Sequence, residues 1–300
     1  MLSFLPKGPR ATGLALLTLL TAPPMAQAQT HPRVMTPRVM SPRVMSIDNC
    51  ANQYLMALAD REQIVSLAKG GDQTTLAFLS ARVEGVPRNH RTVEEMVAAR
   101  PDILLTGQWA MSAAKVAKHF GVHVVALEAP RDIAQARRQI LEVAHLLGQE
   151  ERGRALVADL DQSLAEAAAR RKQHRTEGVV YRSGGYAYGA DTLVDSIMDG
   201  AGISNVAARL GLRRAGNIDM EILLVARPQI MLDDQARDAR DPRIATDFLA
   251  HPALRRGLPQ ATRIQFPMAY WLCGGEALPM AVSSLATLVS ERDAKREDVR

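Results

Sequence analysis

The residues best suited to holding a ligand in this chain are aromatic, and they are few. Phe, Trp and Tyr make up only 4% of the 300 residues. Yet both tryptophans, Trp109 and Trp271, and four tyrosines, Tyr181, Tyr186, Tyr188 and Tyr270, fall at or beside the carboxyl ends of strand-like segments or in one late loop, FPMAYWLCGG. In an open parallel sheet those ends face the crevice where ligands bind. Broad aromatic faces suit a large planar or greasy ligand. The same rule selects Asn49 after RVMSID, Gln108 after DILLT and Asp234 after QIMLD. Arg88, His90 and Arg91 form a basic loop that suits a carboxylate or phosphate on a ligand.

Other chemistries find less support. A bare zinc or manganese site needs about three His with a carboxylate. The seven His are scattered, and Gly121 interrupts the helix that would align His119 with His123. Tyr186, Tyr188 or His90 would suit an axial position on haem iron. No G-x-G-x-x-G follows a strand, and neither a P-loop nor a G-x-S-x-G elbow is present. Asp233 and Asp234 are adjacent, so in a strand they face opposite sides. An exported two-lobed enzyme therefore stands only as an alternative. The arginines are dispersed, without the aromatic interleaving of a nucleic-acid binder.

The elements that must position these residues alternate. Lys7 and Arg10 precede the apolar stretch GLALLTLL, and Ala26-Gln27-Ala28 has small residues where a signal peptidase reads. Residues 1–28 thus read as a cleavable signal peptide and imply a periplasmic location. Two units of the +5 net charge leave with it. No Leu-x-x-Cys lipobox follows. A linker over 29–42 repeats HPRVM, TPRVM and SPRVM, whose prolines block helix and interior strand. Strands are expected at 43–48, 63–67, 102–106, 122–127 and 178–182, and helices at 50–59, 92–99, 112–120, 132–147 and 191–199. This is βα alternation with parallel sheets. A helix over 149–174, roughly 37 Å at 1.5 Å per residue, separates two βα regions without a flexible linker. VEEMVAARPDILLT at 93–106 recurs as MEILLVARPQIMLD at 220–233, an internal copy that predicts two lobes of one design. The expected organisation is a lobe over 43–148, the connecting helix 149–174, and a lobe over 175–300. Cys50 and Cys273 then fall in different lobes. A bridge between them would lock the lobes together, and two inert buried thiols are the simpler expectation.

RVMSIDNCANQYLMALA, RTVEEMVAARPDILLTG, YGADTLVDSIMDGAGISNVA, IDMEILLVARPQIMLDD and HPALRRGLPQATRIQFPMAYWLCGG occur in that order over 43–290. Through them the chain resembles the periplasmic binding proteins for vitamin B12 and ferric siderophores. The resemblance implies an α/β fold of two Rossmann-like lobes joined by one long rigid helix, with the ligand held between them and no enzymatic activity. It implies a monomer that captures cobalamin or a ferric siderophore, with haem also possible, and delivers it to an inner-membrane ABC permease with its ATPase. It further implies docking on that permease through one glutamate per lobe. Glu94 precedes Pro101 by seven residues and Glu221 precedes Pro228 by seven, so these two match.

Overall fold

A computed structural model describes residues 41–69, 83–171, 175–233, 251–266 and 270–297. The signal-peptide segment, the first part of the linker and Asp234 lie outside the described residues. Ser41–Arg300 forms one compact unit.

Two parallel sheets organise that unit. The first holds β1 (Val44–Ser46), β2 (Ile64–Ala68), β3 (Arg88–Asn89), β4 (Ile103–Gly107) and β5 (Val124–Leu127) in the order β3-β2-β1-β4-β5. The second holds β6 (Thr176–Val180), β8 (Ile203–Asn205), β10 (Ile230–Asp233) and β11 (Thr262–Gln265) in the order β11-β10-β6-β8. Each is parallel throughout. Alternation along the strands explains why both faces are covered. Val44, Ile103 and Leu105 enter one core with α1 (Asn49–Leu58), while Met45, Ile47 and Leu104 enter another with α2 (Val93–Ala99) and α3 (Met111–His119). In the second sheet Val180, Ile230 and Leu232 face α6 (Leu193–Gly200) and α10 (Ala277–Glu297). Val179, Tyr181 and Met231 face α7 (Val206–Arg209), α8 (Met220–Ala226) and α9 (Pro252–Gly257).

The joint is thicker than one helix. α4 (Ile133–Leu147) places Ile133 and Ala136 in the second lobe's core and Ile140, Val143 and Leu147 in the first. α5 (Glu150–Ala169) does the converse, with Leu156 and Val157 on the first core and Leu160 and Ala167 in the second. A Cβ on Gly153 would lie 2.4 Å from Ala144 Cβ, so these helices meet through small residues. The connecting helix is shorter than its pattern suggests. It ends at Ala169, and its 20 residues span roughly 30 Å.

The internal copy is structural. α2 and α8 end on Arg100 and Arg227, both left-handed with φ of 43° and 51°. A proline follows each, and then a buried strand. Left-handed backbone at a helix C-terminus closes the last turn; proline then prevents its continuation.

The cysteines correct the expectation of two free thiols. Cys50, in the first turn of α1, is disulfide-bonded to Cys273, in the loop before α10. The fold brings these positions of opposite lobes together, a proximity invisible in a separation of 223 residues.

Candidate ligand-binding cleft

Between the lobes lies a cavity of about 730 Å³. Its walls come from the carboxyl-end segments of both sheets. From the first lobe come Gln108 and Met111 after β4, and Ala126 to Arg131 at and after β5. From the second come Tyr188, the Asp191–Val194 segment that opens α6, Arg214, Ala215, Trp271 and Leu272. The first sheet runs β2 and β3 to one side of β1, and β4 and β5 to the other. Gln108 therefore stands just beyond such a switch point, where crevices form in doubly wound sheets.

The second lobe's wall is braced from beneath. Strands β7 (Tyr186–Tyr188) and β9 (Ala215–Asn217) form an antiparallel pair. The Tyr186 and Tyr188 rings meet edge-on at 5.5 Å between centroids, and the Arg182 guanidinium lies 5.8 Å from the Tyr186 ring centroid. Asn205 donates to the Tyr188 carbonyl at 2.8 Å and to Asp195 Oδ1 at 2.9 Å. Burial raises the Asp195 carboxyl above its ordinary value, and the Asn205 hydrogen bond opposes that. Tyr181, whose hydroxyl donates to Ile218 O at 2.9 Å, is pushed up to about 12, mainly by burial.

The aromatic and polar residues selected from strand ends separate into groups. Gln108, Tyr188 and Trp271 border the cavity, and Tyr186 packs on Tyr188. Trp271 is only 1% exposed and packs on Phe266 with ring centroids 4.7 Å apart. Its buried indole Nε1 has no acceptor among the described residues. Tyr270 packs on Phe266 at 5.4 Å. Trp109 lies in a short turn after β4, and its side chain lies outside what is described. Asn49, Arg88 and His90 sit at the β2–β3 side of the first lobe and do not border the cavity. Asn49 Oδ1 accepts from Arg91 at 3.2 Å. His90 meets Glu95 at 3.0 Å, and this contact holds the Glu95 carboxyl below its usual range. Arg88 is half-buried in β3.

Strand-end reasoning passed over Glu128 and Arg131, although they directly follow the expected strand 122–127. The same rule applied once more would have selected them. Arg214 was not reachable that way, because the β7–β9 pair that carries it is made by contact between distant segments. Asp191 is ion-paired with Arg213. Among charged residues on the wall this leaves the exposed side chains of Arg131 and Arg214, one from each lobe, against the single carboxylate of Glu128. Neither guanidinium has a partner among the described residues, although the Arg131 backbone N–H donates to Gln135 Oε1 at 2.8 Å. No group of three or more His, Cys, Asp or Glu among those residues could hold a metal ion.

Glu94 and Glu221 are each the second residue of their helix, α2 and α8, and both are exposed. Carboxylates there are favoured by the helix dipole.

The sequence profile of the periplasmic binding protein family matches residues 45–257. The chain belongs to that family. It is a solute-binding protein of the ABC-importer type, not an enzyme. Solved structures share the fold. A periplasmic haem-binding protein from Roseiflexus sp. RS-1, in apo form, is 21% identical with a TM-score of 0.67, over 84% of this chain and 99% of that one. A periplasmic haem-binding protein from Pseudomonas aeruginosa is 22% identical with a TM-score of 0.62, over 83% and 92%. The periplasmic vitamin B12 binding protein of Vibrio cholerae is 14% identical with a TM-score of 0.60, over 84% and 97%. No curated protein sequence matches.

Proposed function

We propose that this protein is exported to the periplasm, captures a metal chelate between its lobes and presents it to an inner-membrane ABC permease driven by a separate ATPase. The observation that carries this reading is the cavity of about 730 Å³ lined by both lobes at their strand ends. It lies within the size range of clefts that take small-molecule and cofactor ligands. Proteins of the same fold bind haem and vitamin B12. The disulfide suits an oxidising compartment and so agrees with export behind the signal-like residues 1–28.

Cobalamin, a ferric siderophore and haem are the ligand classes in view. The wall favours an anionic chelate. Arg131 and Arg214 line the cavity from opposite lobes, neither guanidinium has a partner among the described residues, and guanidinium forks match carboxylate or catecholate oxygens. Haem, through its propionates, and ferric catecholates offer such oxygens, whereas the periphery of cobalamin is largely uncharged amide. Glu94 and Glu221, exposed at equivalent places of the two lobes, would pair with cations of a two-fold permease and orient the encounter.

The test is tryptophan fluorescence of the mature protein titrated with haemin, a ferric catecholate, a ferric hydroxamate and cyanocobalamin, each corrected for ligand absorption. Saturable quenching by one of the two anionic chelates is expected. Arg131→Glu with Arg214→Glu should weaken that binding at least tenfold, since each hydrogen bond to a charged group contributes about 1.5–3 kcal/mol. Cobalamin binding indifferent to both changes would keep the importer reading and remove the anionic preference. No response to any chelate from folded protein would remove the metal-chelate reading and leave the family's solute-binding role with another ligand.

A further inference from the structure

We propose that the Cys50–Cys273 bridge is a latch that holds the cleft wall and limits separation of the lobes. It rests on four observations, none of which depends on the identity of the ligand.

First, the segment 271–275 belongs to both lobes. Trp271 anchors it in the second lobe's core against Phe266. Cys273, with no exposed surface, ties it covalently to α1 of the first lobe. Second, its backbone lies flush on α1, on the start of α4 and on the loop before α4. A Cβ on Gly274 would stand 2.8 Å from Pro130 Cγ, 2.8 Å from Tyr54 Oη and 3.0 Å from Ala136 Cβ. Third, Trp271 and Leu272, immediately before the bridged cysteine, border the cavity, as does Pro130 beneath Gly274. The bridge is thus within two residues of the wall a ligand would touch. Fourth, α4 and α5 already join the lobes by packing into both cores. Any lobe motion that would draw Cys50 from Cys273 is opposed by the covalent bond.

The lobes are therefore attached at two places, by a helical pair and by a covalent stay under the cleft. A chelate leaving the cleft must pass walls that cannot part freely. Opening motions in other two-lobed proteins use hinge segments that absorb backbone rotation; here the corresponding freedom is removed by one bond. The consequence is slow ligand release from a wall already formed, since preorganised sites lose less on binding.

The experiment compares the unmodified protein with Cys50→Ala, Cys273→Ala by two readouts. Hydrogen–deuterium exchange should rise in 270–276 and in the first turn of α1, while β1, β4, β6 and β10 keep their protection. Dissociation of haemin or a ferric catecholate, followed by stopped-flow fluorescence, should quicken at least about fivefold, because wall mobility acts chiefly on release. Unchanged exchange in 270–276, or exchange that rises evenly over both lobes, would overturn the latch, the second outcome marking a bridge that only stabilises the whole fold. Unchanged dissociation of a bound chelate would overturn it too. If the unmodified protein binds none of these chelates, that failure belongs to the metal-chelate reading and the exchange arm alone decides the latch. If the double variant does not fold, the same readouts are taken on purified protein reduced with dithiothreitol.

Discussion

Tyr54 shows how single residues serve the joint between the lobes. Its ring is buried, its hydroxyl donates to Gln139 Oε1 on α4 at 2.7 Å, and burial pushes that hydroxyl's pKa well upward. A Cβ on Gly274 would stand 2.8 Å from the same hydroxyl. No larger residue fits at 274 without displacing a ring, a proline and an alanine at once. Gly274→Ala should therefore cost about 1–3 kcal/mol, the ordinary penalty of overpacking. Urea denaturation followed by circular dichroism measures it, and an unchanged midpoint would contradict the close approach. None of this was visible in the string LCGG. A glycine there reads as a turn, because what it touches comes from α1 and α4, far away in sequence.

At the scale of elements, local signals carried most of the reading. Thr92 caps α2 and Glu95 returns the bond, the box expected from T-x-x-E. The Glu95 carboxyl is depressed mainly by the His90 hydrogen bond. A carboxyl lowered on folding stabilises the fold above its ordinary pKa, and the contribution disappears as pH falls through the lowered value. Stability should thus drop in acid more steeply for the parent than for Glu95→Gln, a difference thermal melts at pH 7 and pH 3 would reveal; parallel curves would contradict it. The short strands β3, β7 and β9 carried no such signal. Two- and three-residue strands lack a period, and pairing partners supplied by other segments decide them. VHVVAL read as a strand, and β5 is one, lying at the sheet edge with only Leu127 of its residues buried.

For the whole molecule, the repeat of helix, Arg-Pro and strand predicted two lobes of one design, and the two parallel sheets have that form. The paired helix starts put Glu94 and Glu221 in equivalent, exposed positions. Reversing both, Glu94→Lys with Glu221→Lys, should lower chelate uptake by cells at least about tenfold, as expected when a charge pair across an interface becomes repulsive. Ligand affinity of the isolated protein should not change. Reduced affinity in fluorescence titration would move these residues out of the docking role, and full uptake would remove the role altogether.

By itself the sequence determined the class of elements, their order and the doubling, because hydrophobic period, caps and the Ala-Arg-Pro punctuation are encoded within a few residues of where they act. It also pointed toward the strand ends from which the cleft is built. Only the tertiary structure decided which strand-end residues share a wall, that α4 and α5 together make the joint, and that Cys50 meets Cys273. Those are contacts between segments separated by as many as 223 residues, and no local pattern specifies the distance between two side chains that far apart along the chain.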